Sequence, residues 1–386
     1  MMKTFVFQNP TQLIFGEGKI EKLPRFIESG KRILLVFGGG SVRNNGVYDA
    51  VRRALADYQT SEFWGIESNP TVETVRKAVA QAREEGSDFV LAVGGGSVID
   101  ASKLISGSIL SEKDPWEITQ SGVCKGPFIP LGVVLTIPAT GSEMNSGSVI
   151  SNQATKEKFA FHGQFPQFAI VDPTIPFSLP PYQVACGLSD TFVHTMEQYL
   201  TFPGQSRLMD RWAEGILQTL IEISPELVRD HKNLQLMSEF MICATTALNG
   251  YISWGVAQDW STHYIGHEVT ALTGLTHGHT LAIILPSTMR IMQTMGKEDK
   301  LLQYASRVWG INTQSVGKQE AIDKAIACTV DYFSSLGLKK KLNECDIPYT
   351  VVEEIVERFH LRGTIMGEQG NMDWQVVEKI LKDAYQ

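Results

Sequence analysis

The sequence predicts an α/β domain followed by an all-helical domain, and three observations lead to that prediction. Continuous apolar runs alternate with amphipathic helical stretches in the first half, and such runs are typical of strands buried on both faces of a parallel sheet. The runs are "RILLVF" (32–37), "DFVLAV" (88–93) and "LGVVLTI" (131–137). After a Pro-rich connection at 172–183, nearly every segment repeats its apolar residues with a helical period. A chain of 386 residues also exceeds the usual size of one core. We therefore predict domains at 1–177 and 178–386.

Composition limits the classes of function. The 34 basic and 42 acidic residues give a net charge of −8, whereas a nucleic-acid partner calls for a basic face. No apolar run approaches the ~18 residues that a membrane span needs. The five cysteines are odd in number and contain no C-x-x-C pair, which is typical of reduced thiols. We expect a cytoplasmic enzyme that has neither a nucleic acid nor a membrane as its partner.

Two glycine triplets each follow a predicted strand. In "VGGGSVIDASKL" the triplet 94–96 and Ser97 lead into a helical stretch, and "FGGGSV" repeats the pattern at 38–41. Glycine lets a ligand approach the backbone closely, and the start of a helix offers free N–H groups and a positive dipole end. The pattern therefore favours a pyrophosphate site, although it is not the G-x-G-x-x-G fingerprint.

The earlier triplet indicates which dinucleotide binds. In dinucleotide-binding sheets an acidic residue at the end of the second strand commonly binds the ribose 2′-hydroxyl. Here the strand at 32–37 is followed directly by glycine with no carboxylate, and Arg43 lies just beyond the triplet. Space and positive charge favour a 2′-phosphate, so we expect NADP(H), with NAD(H) possible. A third loop, "TIPATGSEMNSGS" at 136–148, is rich in small hydroxyl residues and is expected to close over the cofactor.

The helical half concentrates residues of the kind that bind metals. Asp190 and His194 are four residues apart, as are His263 and His267, so each pair shares one face of a helix. His277 follows a glycine that should end the second of these helices. Each residue alone is more often structural, but together they favour a metal site. A carboxylate with neutral imidazoles suits a divalent first-row cation such as Fe²⁺ or Zn²⁺.

These motifs make the chain resemble the iron-containing (group III) alcohol dehydrogenase family from end to end. It is most similar to the branch of butanol dehydrogenases and broad-range NADPH-dependent aldehyde reductases. The matching segments are "PTQLIFGEG", "GGGSV" twice, "SNPT", "TIPATGSE", "LSDTFVHTMEQY", "QDWSTHYIGHEVTAL" and "HGHTLAIILP". The resemblance implies a dehydroquinate synthase-like fold with the active site in the cleft between its domains. It also implies hydride transfer between NADP(H) and a short-chain aldehyde or primary alcohol, such as butanal or butanol.

The resemblance also implies roles for individual residues. One divalent metal, Fe²⁺ or Zn²⁺, is expected on Asp190, His194, His263 and His277. His267 is expected near the substrate without being a ligand, and we hypothesise that it relays a proton as a catalytic residue. The implied cofactor contacts are Gly39, Gly40, Ser41, Asn69, Gly95, Gly96, Ser97, Asp100, Thr136, Thr140 and Lys158. A homodimer is expected, in which the N-terminal segment 5–15 pairs across the interface.

Three alternatives remain open. A polyol dehydrogenase of the glycerol type is separated only weakly by sequence. A non-redox lyase on the same fold would need several Arg and Lys residues for an anionic substrate, and the apolar metal-bearing segments lack them. A non-catalytic protein that binds a metal or a nucleotide would show a missing ligand or a blocked glycine loop, and the sequence shows neither.

Overall fold

The computed structural model describes residues 2–386, and its first half is built around a parallel sheet. The strands are β1 (Gln12–Phe15), β2 (Arg32–Phe37), β3 (Gln59–Phe63), β4 (Phe89–Gly94), β5 (Leu131–Leu135), β6 (Gly147–Asn152), β7 (Glu157–His162) and β8 (Phe168–Val171). Six of them form one sheet in the order β1-β8-β5-β4-β2-β3, and every pair in it is parallel. Strands β6 and β7 form a separate antiparallel hairpin.

The centre of the sheet lies where the sequence predicts it. Strands β2, β4 and β5 are the three continuous apolar runs, and their side chains are almost wholly buried. The edge strand β3 was not predicted, because "QTSEF" is polar and only partly buried. The strand expected at 5–15 is shorter than predicted. Only β1 forms from it, and β1 pairs in parallel with β8 of the same chain.

Helices alternate with the strands in the first half and make up nearly all of the second half, as the sequence predicts. They are α1 (Ser41–Asn44), α2 (Val47–Ala54), α3 (Val72–Glu84), α4 (Gly96–Ser108), α5 (Pro115–Gln120), α6 (Pro181–Tyr199), α7 (Arg207–Arg229), α8 (Leu234–Ala247), α9 (Ser261–Thr273), α10 (His277–Met292), α11 (Glu298–Arg307), α12 (Thr313–Val316), α13 (Lys318–Ser335), α14 (Tyr349–Arg362) and α15 (Trp374–Tyr385). The predicted fold class, a parallel α/β unit and a helical unit, is confirmed. Across residues 2–386, no helix has both the length and the apolarity that crossing a membrane requires.

The chain divides into two compact units. The α/β unit consists of Gln8–Leu179 and His231–Asn249, and the helical unit contains the residues up to Phe7, Pro180–Asp230 and Gly250–Gln386. The main crossing lies between Leu179 and Pro180, close to the expected boundary at 177. The expected domains of 1–177 and 178–386 differ from these units in two short segments. The residues up to Phe7 belong to the helical unit, and His231–Asn249 belongs to the α/β unit.

Helix α8 joins the α/β unit because polar groups of the third loop hold it there. Thr245 Oγ1 donates a hydrogen bond of 2.6 Å to the buried carboxylate of Glu143. Asn145 Nδ2 donates to the carbonyl oxygen of Leu248 at 3.0 Å. These contacts link residues about 100 positions apart in sequence, so helical periodicity alone gives no sign of them.

Candidate cofactor and metal sites

The two glycine triplets lie at the point where the strand order of the sheet reverses. From β2 the chain moves outward to β3 and then returns to the other side of β2 to form β4. The triplets follow β2 and β4, which are neighbours in the sheet. In open α/β sheets, ligands bind outside the carboxyl ends of the strands at such a reversal. The topology therefore places both predicted phosphate loops at one favourable position.

The loop after β4 has no room for side chains. A Cβ atom on Gly96 would lie 2.5 Å from Thr140 Oγ1, and one on Gly94 would overlap Val98. Ser97 Oγ donates a hydrogen bond to the carbonyl oxygen of Ser68, which fixes the loop from the other side. Helix α4 begins at Gly96, so its first N–H groups and its positive dipole end lie in this tight loop. The arrangement suits a phosphate held by backbone groups.

The loop after β2 is open instead. A Cβ atom on Gly39 would meet nothing within 4 Å, and both Gly39 and Ser41 are exposed. Gly40 has a φ of 99°, a left-handed conformation that favours glycine. The guanidinium of Arg43 lies near this loop, 4.1 Å from the ring centroid of Trp64. The structure therefore keeps both the space and the positive charge that the sequence predicts for a 2′-phosphate.

The other predicted cofactor contacts lie in two places. Asn69 Oδ1 accepts a hydrogen bond of 3.0 Å from Lys158 Nζ, so the structure brings these two distant residues together. The N–H of Thr136 donates to the carbonyl oxygen of Gly94 at 3.0 Å, and Thr140 packs against Gly96. The third loop is thus in direct contact with the loop after β4.

Asp100 supports the third loop. Its two carboxylate oxygens accept hydrogen bonds from Ser142 Oγ at 2.6 Å and from the N–H of Val149 at 2.9 Å. Burial raises the pKa of Asp100, an effect that the nearby Lys103 ammonium opposes. Lys103 is fully buried, and its Nζ donates to Ser142 Oγ at 2.7 Å. Burial lowers the pKa of Lys103 to about 8. A direct contact between Asp100 and the cofactor stays a prediction.

In the helical unit, three imidazoles surround the carboxylate of Asp190. Asp190 Oδ1 lies 3.6 Å from Nε2 of His194, 3.6 Å from Nε2 of His263 and 4.0 Å from Nε2 of His277. One ligand atom each from Asp190, His263 and His277 lie within 4.8 Å of one another. His194 stacks on His263 with ring centroids 4.5 Å apart. The structure therefore gathers all four residues that the sequence predicts as metal ligands.

The donor atoms fit a divalent cation. Asp190 Oδ1 and His263 Nε2 are buried, and neither makes a hydrogen bond within residues 2–386. Buried polar atoms are rarely left in this condition, unless an ion or a water satisfies them. Burial would raise the pKa of Asp190, but the neighbouring imidazoles, His194 first, hold it well below its usual range. A carboxylate that stays charged among imidazole nitrogens is a suitable set for Fe²⁺ or Zn²⁺.

Glu197 orients His263 toward this centre. Its two carboxylate oxygens accept hydrogen bonds from the backbone N–H of His263, at 3.1 Å, and from its Nδ1. This contact favours the proton on Nδ1, which would leave Nε2, 3.6 Å from Asp190 Oδ1, to bind a cation. Burial lowers the pKa of His263, but the carboxylates of Glu197 and Asp190 outweigh that effect and raise it to about 9, so a cation that binds Nε2 has to displace the proton from that nitrogen. Glu197 is 66 positions from His263 in the sequence, so the spacing of the residues does not predict this contact.

Two glycines let the metal-bearing helices approach each other. A Cβ atom on Gly278 would overlap the carbonyl oxygen of Cys186, so α10 begins against the backbone of α6. A Cβ atom on Gly266 would lie 2.8 Å from Leu281, where α9 packs on α10. The close approach at Gly278 brings His277 to the helix that carries Asp190. Sequence reasoning missed both glycines, and the position of Gly278 beside His277 was the available signal.

Two further histidines, His267 and His279, lie close in sequence to two of the predicted ligands and have different surroundings. The ring centroid of His267 is 4.8 Å from that of His277 and 6.1 Å from that of His263, and its side chain is half-buried. His279 serves the structure instead. Its Nε2 accepts from the N–H of Lys339 at 2.9 Å, and its Nδ1 lies 3.0 Å from the hydroxyl of Tyr182.

Comparison with known proteins gives one family for the whole chain. The model of the iron-containing alcohol dehydrogenases matches residues 10–173, and the model of the C-terminal part of the Fe-containing alcohol dehydrogenase family matches residues 184–385. The NADPH-dependent aldehyde reductase YqhD of Escherichia coli is 44% identical over 99% of this chain and 100% of its own length. The NADH-dependent butanol dehydrogenase A of Clostridium acetobutylicum is 34% identical over 100% of both chains.

Solved structures agree with these matches. The crystal structure of YqhD from E. coli K-12 superposes with a TM-score of 0.96 at 43% identity and covers 99% of each chain. That of the NADH-dependent butanol dehydrogenase A from Thermotoga maritima gives a TM-score of 0.94 at 31% identity, over 100% of this chain and 99% of its own. The two units found here are thus those of an experimentally known fold.

Proposed function

This chain belongs to the iron-containing alcohol dehydrogenase family, and we propose that it reduces short-chain aldehydes such as butanal with NADPH, in a reaction that depends on one divalent cation. The family membership confirms the resemblance seen in the sequence, and with it the prediction of an oxidoreductase. The observation that supports the reaction best is the group of Asp190 and three imidazoles on adjoining helices, with two candidate ligand atoms that make no hydrogen bond within residues 2–386.

The choice of NADPH rests on the loop after β2. That loop has open space at Gly39 and an arginine beside it, and it offers no carboxylate to bind a free ribose hydroxyl. The relatives differ here, since YqhD is NADPH-dependent and the clostridial enzyme is NADH-dependent. The preference therefore has to come from this chain's own residues.

Each group of residues has a separate task in the reaction. Asp190, His194, His263 and His277 would hold the cation, and Glu197 keeps His263 in the tautomer that can bind it. The glycine loops would hold the cofactor through backbone N–H groups, with Asn69, Thr136, Thr140 and Lys158 beside them. When they are bound, the cation polarises the carbonyl oxygen of the aldehyde and NADPH supplies the hydride.

His267 is the residue we propose for the proton that completes the alcohol. It is half-buried, lies one helical turn after His263 and has its ring 4.8 Å from that of His277. An imidazole titrates near neutral pH and can pass a proton between solvent and a reacting oxygen. A His267→Ala variant is expected to bind the cation normally while its kcat falls and its pH profile changes. Unchanged turnover and an unchanged pH profile would remove this role.

The proposed function is tested by the rate at which NADPH is oxidised in the presence of butanal. We expect kcat/KM for butanal to exceed that for dihydroxyacetone, and NADPH to be favoured over NADH by roughly ten-fold, as one charged contact allows. A preference for dihydroxyacetone would identify a polyol dehydrogenase. Cofactor binding without turnover on any carbonyl substrate would identify a binding protein or a lyase.

A homodimer and a cytoplasmic location complete the proposal. Strand β1 ends the sheet, and its residues Leu13 and Phe15 are each 37% exposed, so this edge is available for pairing with a second copy. A Leu13→Lys variant is expected to shift the mass measured by light scattering toward the monomer. The five free cysteines are compatible with a reducing compartment.

A further inference from the structure

Three aromatic rings form a platform beside the open glycine loop. Phe37 is the last residue of β2, Trp64 follows β3, and Tyr48 lies in α2. The rings of Phe37 and Trp64 stack with centroids 4.1 Å apart at an interplanar angle of 15°. Tyr48 packs against both, with centroids 5.8 Å from Phe37 and 5.7 Å from Trp64. We call these three residues the aromatic platform.

Glu62 fixes the two polar members of the platform. The hydroxyl of Tyr48 donates to Glu62 Oε1 at 2.8 Å, and the indole N–H of Trp64 donates to Glu62 Oε2 at 2.8 Å. Each carboxylate oxygen thus accepts from a different ring. Because hydrogen bonds to a charged acceptor are stronger than neutral ones, both rings are held in one orientation.

Arg43 lies over this fixed surface. Its guanidinium carbon is 4.1 Å from the ring centroid of Trp64 and 5.4 Å from that of Tyr48, distances at which a cation is attracted to an aromatic face. The carboxylate of Glu62 pairs with Arg52 at 3.7 Å, and within residues 2–386 no ion pair involves Arg43. Arg43 is therefore positioned by stacking, and its charge and its N–H donors remain available to a ligand.

We propose that Arg43, held by the aromatic platform, is the residue that distinguishes NADPH from NADH in this protein. This inference rests on the proposed binding of the cofactor at the glycine loops. A stacked guanidinium keeps a planar edge of N–H donors that matches a phosphate, and stacking reduces the entropy lost on binding. NADH has a hydroxyl in place of the 2′-phosphate, so it gains nothing from this positioned charge. Glu62 and Trp64 act through Arg43 and are positioning residues.

Calorimetric binding of two nucleotides tests the assignment without any need for turnover. Adenosine 2′,5′-diphosphate carries the phosphate that is specific to NADPH, and AMP lacks it. An Arg43→Gln variant is expected to bind the diphosphate roughly ten-fold more weakly and AMP within about two-fold of the unaltered protein. Arg43→Lys keeps the charge but stacks less well, so an intermediate loss is expected.

The platform is tested separately from the arginine. A Trp64→Leu variant is expected to weaken binding of the diphosphate by roughly three-fold, the size of an exposed cation–π contact, and to leave AMP unaffected. If Trp64→Leu does not fold, Trp64→Phe replaces it in this test, because it keeps an aromatic ring against Phe37. Arg53→Gln, which removes an exposed arginine of α2, is the control and should change neither affinity.

The outcomes separate this inference from the proposed function. Equal weakening of the diphosphate and AMP in Arg43→Gln, or no weakening of either, would overturn the role of Arg43 and leave the reductase intact. Failure of the unaltered protein to bind either nucleotide would overturn the cofactor site itself. Selective loss of the diphosphate in Arg43→Gln, together with a smaller selective loss in Trp64→Leu, would support the proposal.

Discussion

The candidate cofactor site is formed mainly by the backbone, whereas the candidate metal site is formed by side chains. At the carboxyl ends of β2 and β4 the candidate site consists mainly of backbone, and its side chains are absent or small. In the helical unit the candidate site consists of the side chains of Asp190, His194, His263 and His277. The first should therefore be damaged most by added atoms, and the second by removed or exchanged donor atoms. Gly278 is an exception in the metal site, because there an added side chain would do the damage. Only a residue without a side chain at this position lets the donor side chains come together.

The largest effect is expected when the central carboxylate loses its charge. Asp190→Asn keeps the shape of the side chain but replaces an anionic ligand among three imidazoles with a neutral amide. We expect affinity for Zn²⁺ or Fe²⁺, measured by competition with a chelator, to fall by at least roughly 100-fold, and reduction of butanal to fall with it. Asp323→Asn, on the exposed face of α13, is the matched control. Normal affinity in Asp190→Asn would show that the cation binds elsewhere.

A methyl group at the helix contact should have the next largest effect. In Gly278→Ala the new Cβ would overlap the carbonyl oxygen of Cys186, so α6 and α10 must separate. We expect the free energy of unfolding to fall by about 2–3 kcal/mol and metal affinity to fall as His277 moves away. Gly215→Ala lies in a helix with open space around its Cβ, and there the same change should be neutral or stabilising by up to about 1 kcal/mol. Equal effects at both positions would contradict the close approach.

A smaller effect is expected from the residue that orients His263. Glu197→Gln keeps a hydrogen-bond acceptor but removes the buried negative charge beside Nδ1. Metal affinity is expected to fall by roughly 10–100-fold while binding of NADPH stays unchanged. Isothermal titration with Zn²⁺ and with NADPH measures the two separately. A parallel loss of both affinities would indicate general disruption of the fold.

The smallest effect is expected from a substitution in the glycine loop after β4, where a second substitution can relieve the steric clash that the first one causes. In Gly96→Ala the new Cβ would lie 2.5 Å from Thr140 Oγ1, and we expect KM for NADPH to rise by roughly ten-fold while metal affinity stays normal. Adding Thr140→Ala removes the two closest atoms and should restore part of the loss. If the double variant is worse than the single one, the contact between these residues is not the cause.

An element could be predicted from the sequence where its own residues mark it, and not where contacts with distant residues decide its place. Strands β2, β4 and β5 could be predicted from the sequence, because a strand that is buried on both faces is a nearly continuous run of apolar residues. The polar edge strand β3 lacks that signal. Helical periodicity predicts that α8 forms. It does not predict that α8 belongs to the α/β unit, because that depends on the hydrogen bond between Thr245 and Glu143. Local patterns indicate elements, and distant contacts decide where the elements lie.

The metal site shows the same limit. The i, i+4 spacing of Asp190 and His194 predicts a shared helix face, and the structure confirms that these residues meet the later histidines. The spacing contains no sign that Glu197 would accept hydrogen bonds from His263, nor that Gly278 would allow the helices to touch. Asp100 was expected to contact the cofactor; its carboxylate accepts hydrogen bonds from Ser142 Oγ and the N–H of Val149, contacts that the sequence gives no sign of.

The role proposed for one divalent cation in the helical unit is to support aldehyde reduction by NADPH. Its most direct test is a titration of chelator-stripped protein with Fe²⁺ or Zn²⁺, in which bound metal and the rate of butanal reduction are measured on the same samples. We predict that activity rises in proportion to bound metal and reaches its plateau at one ion per chain. Full activity in the stripped protein, or saturation with metal without any activity, would contradict the account.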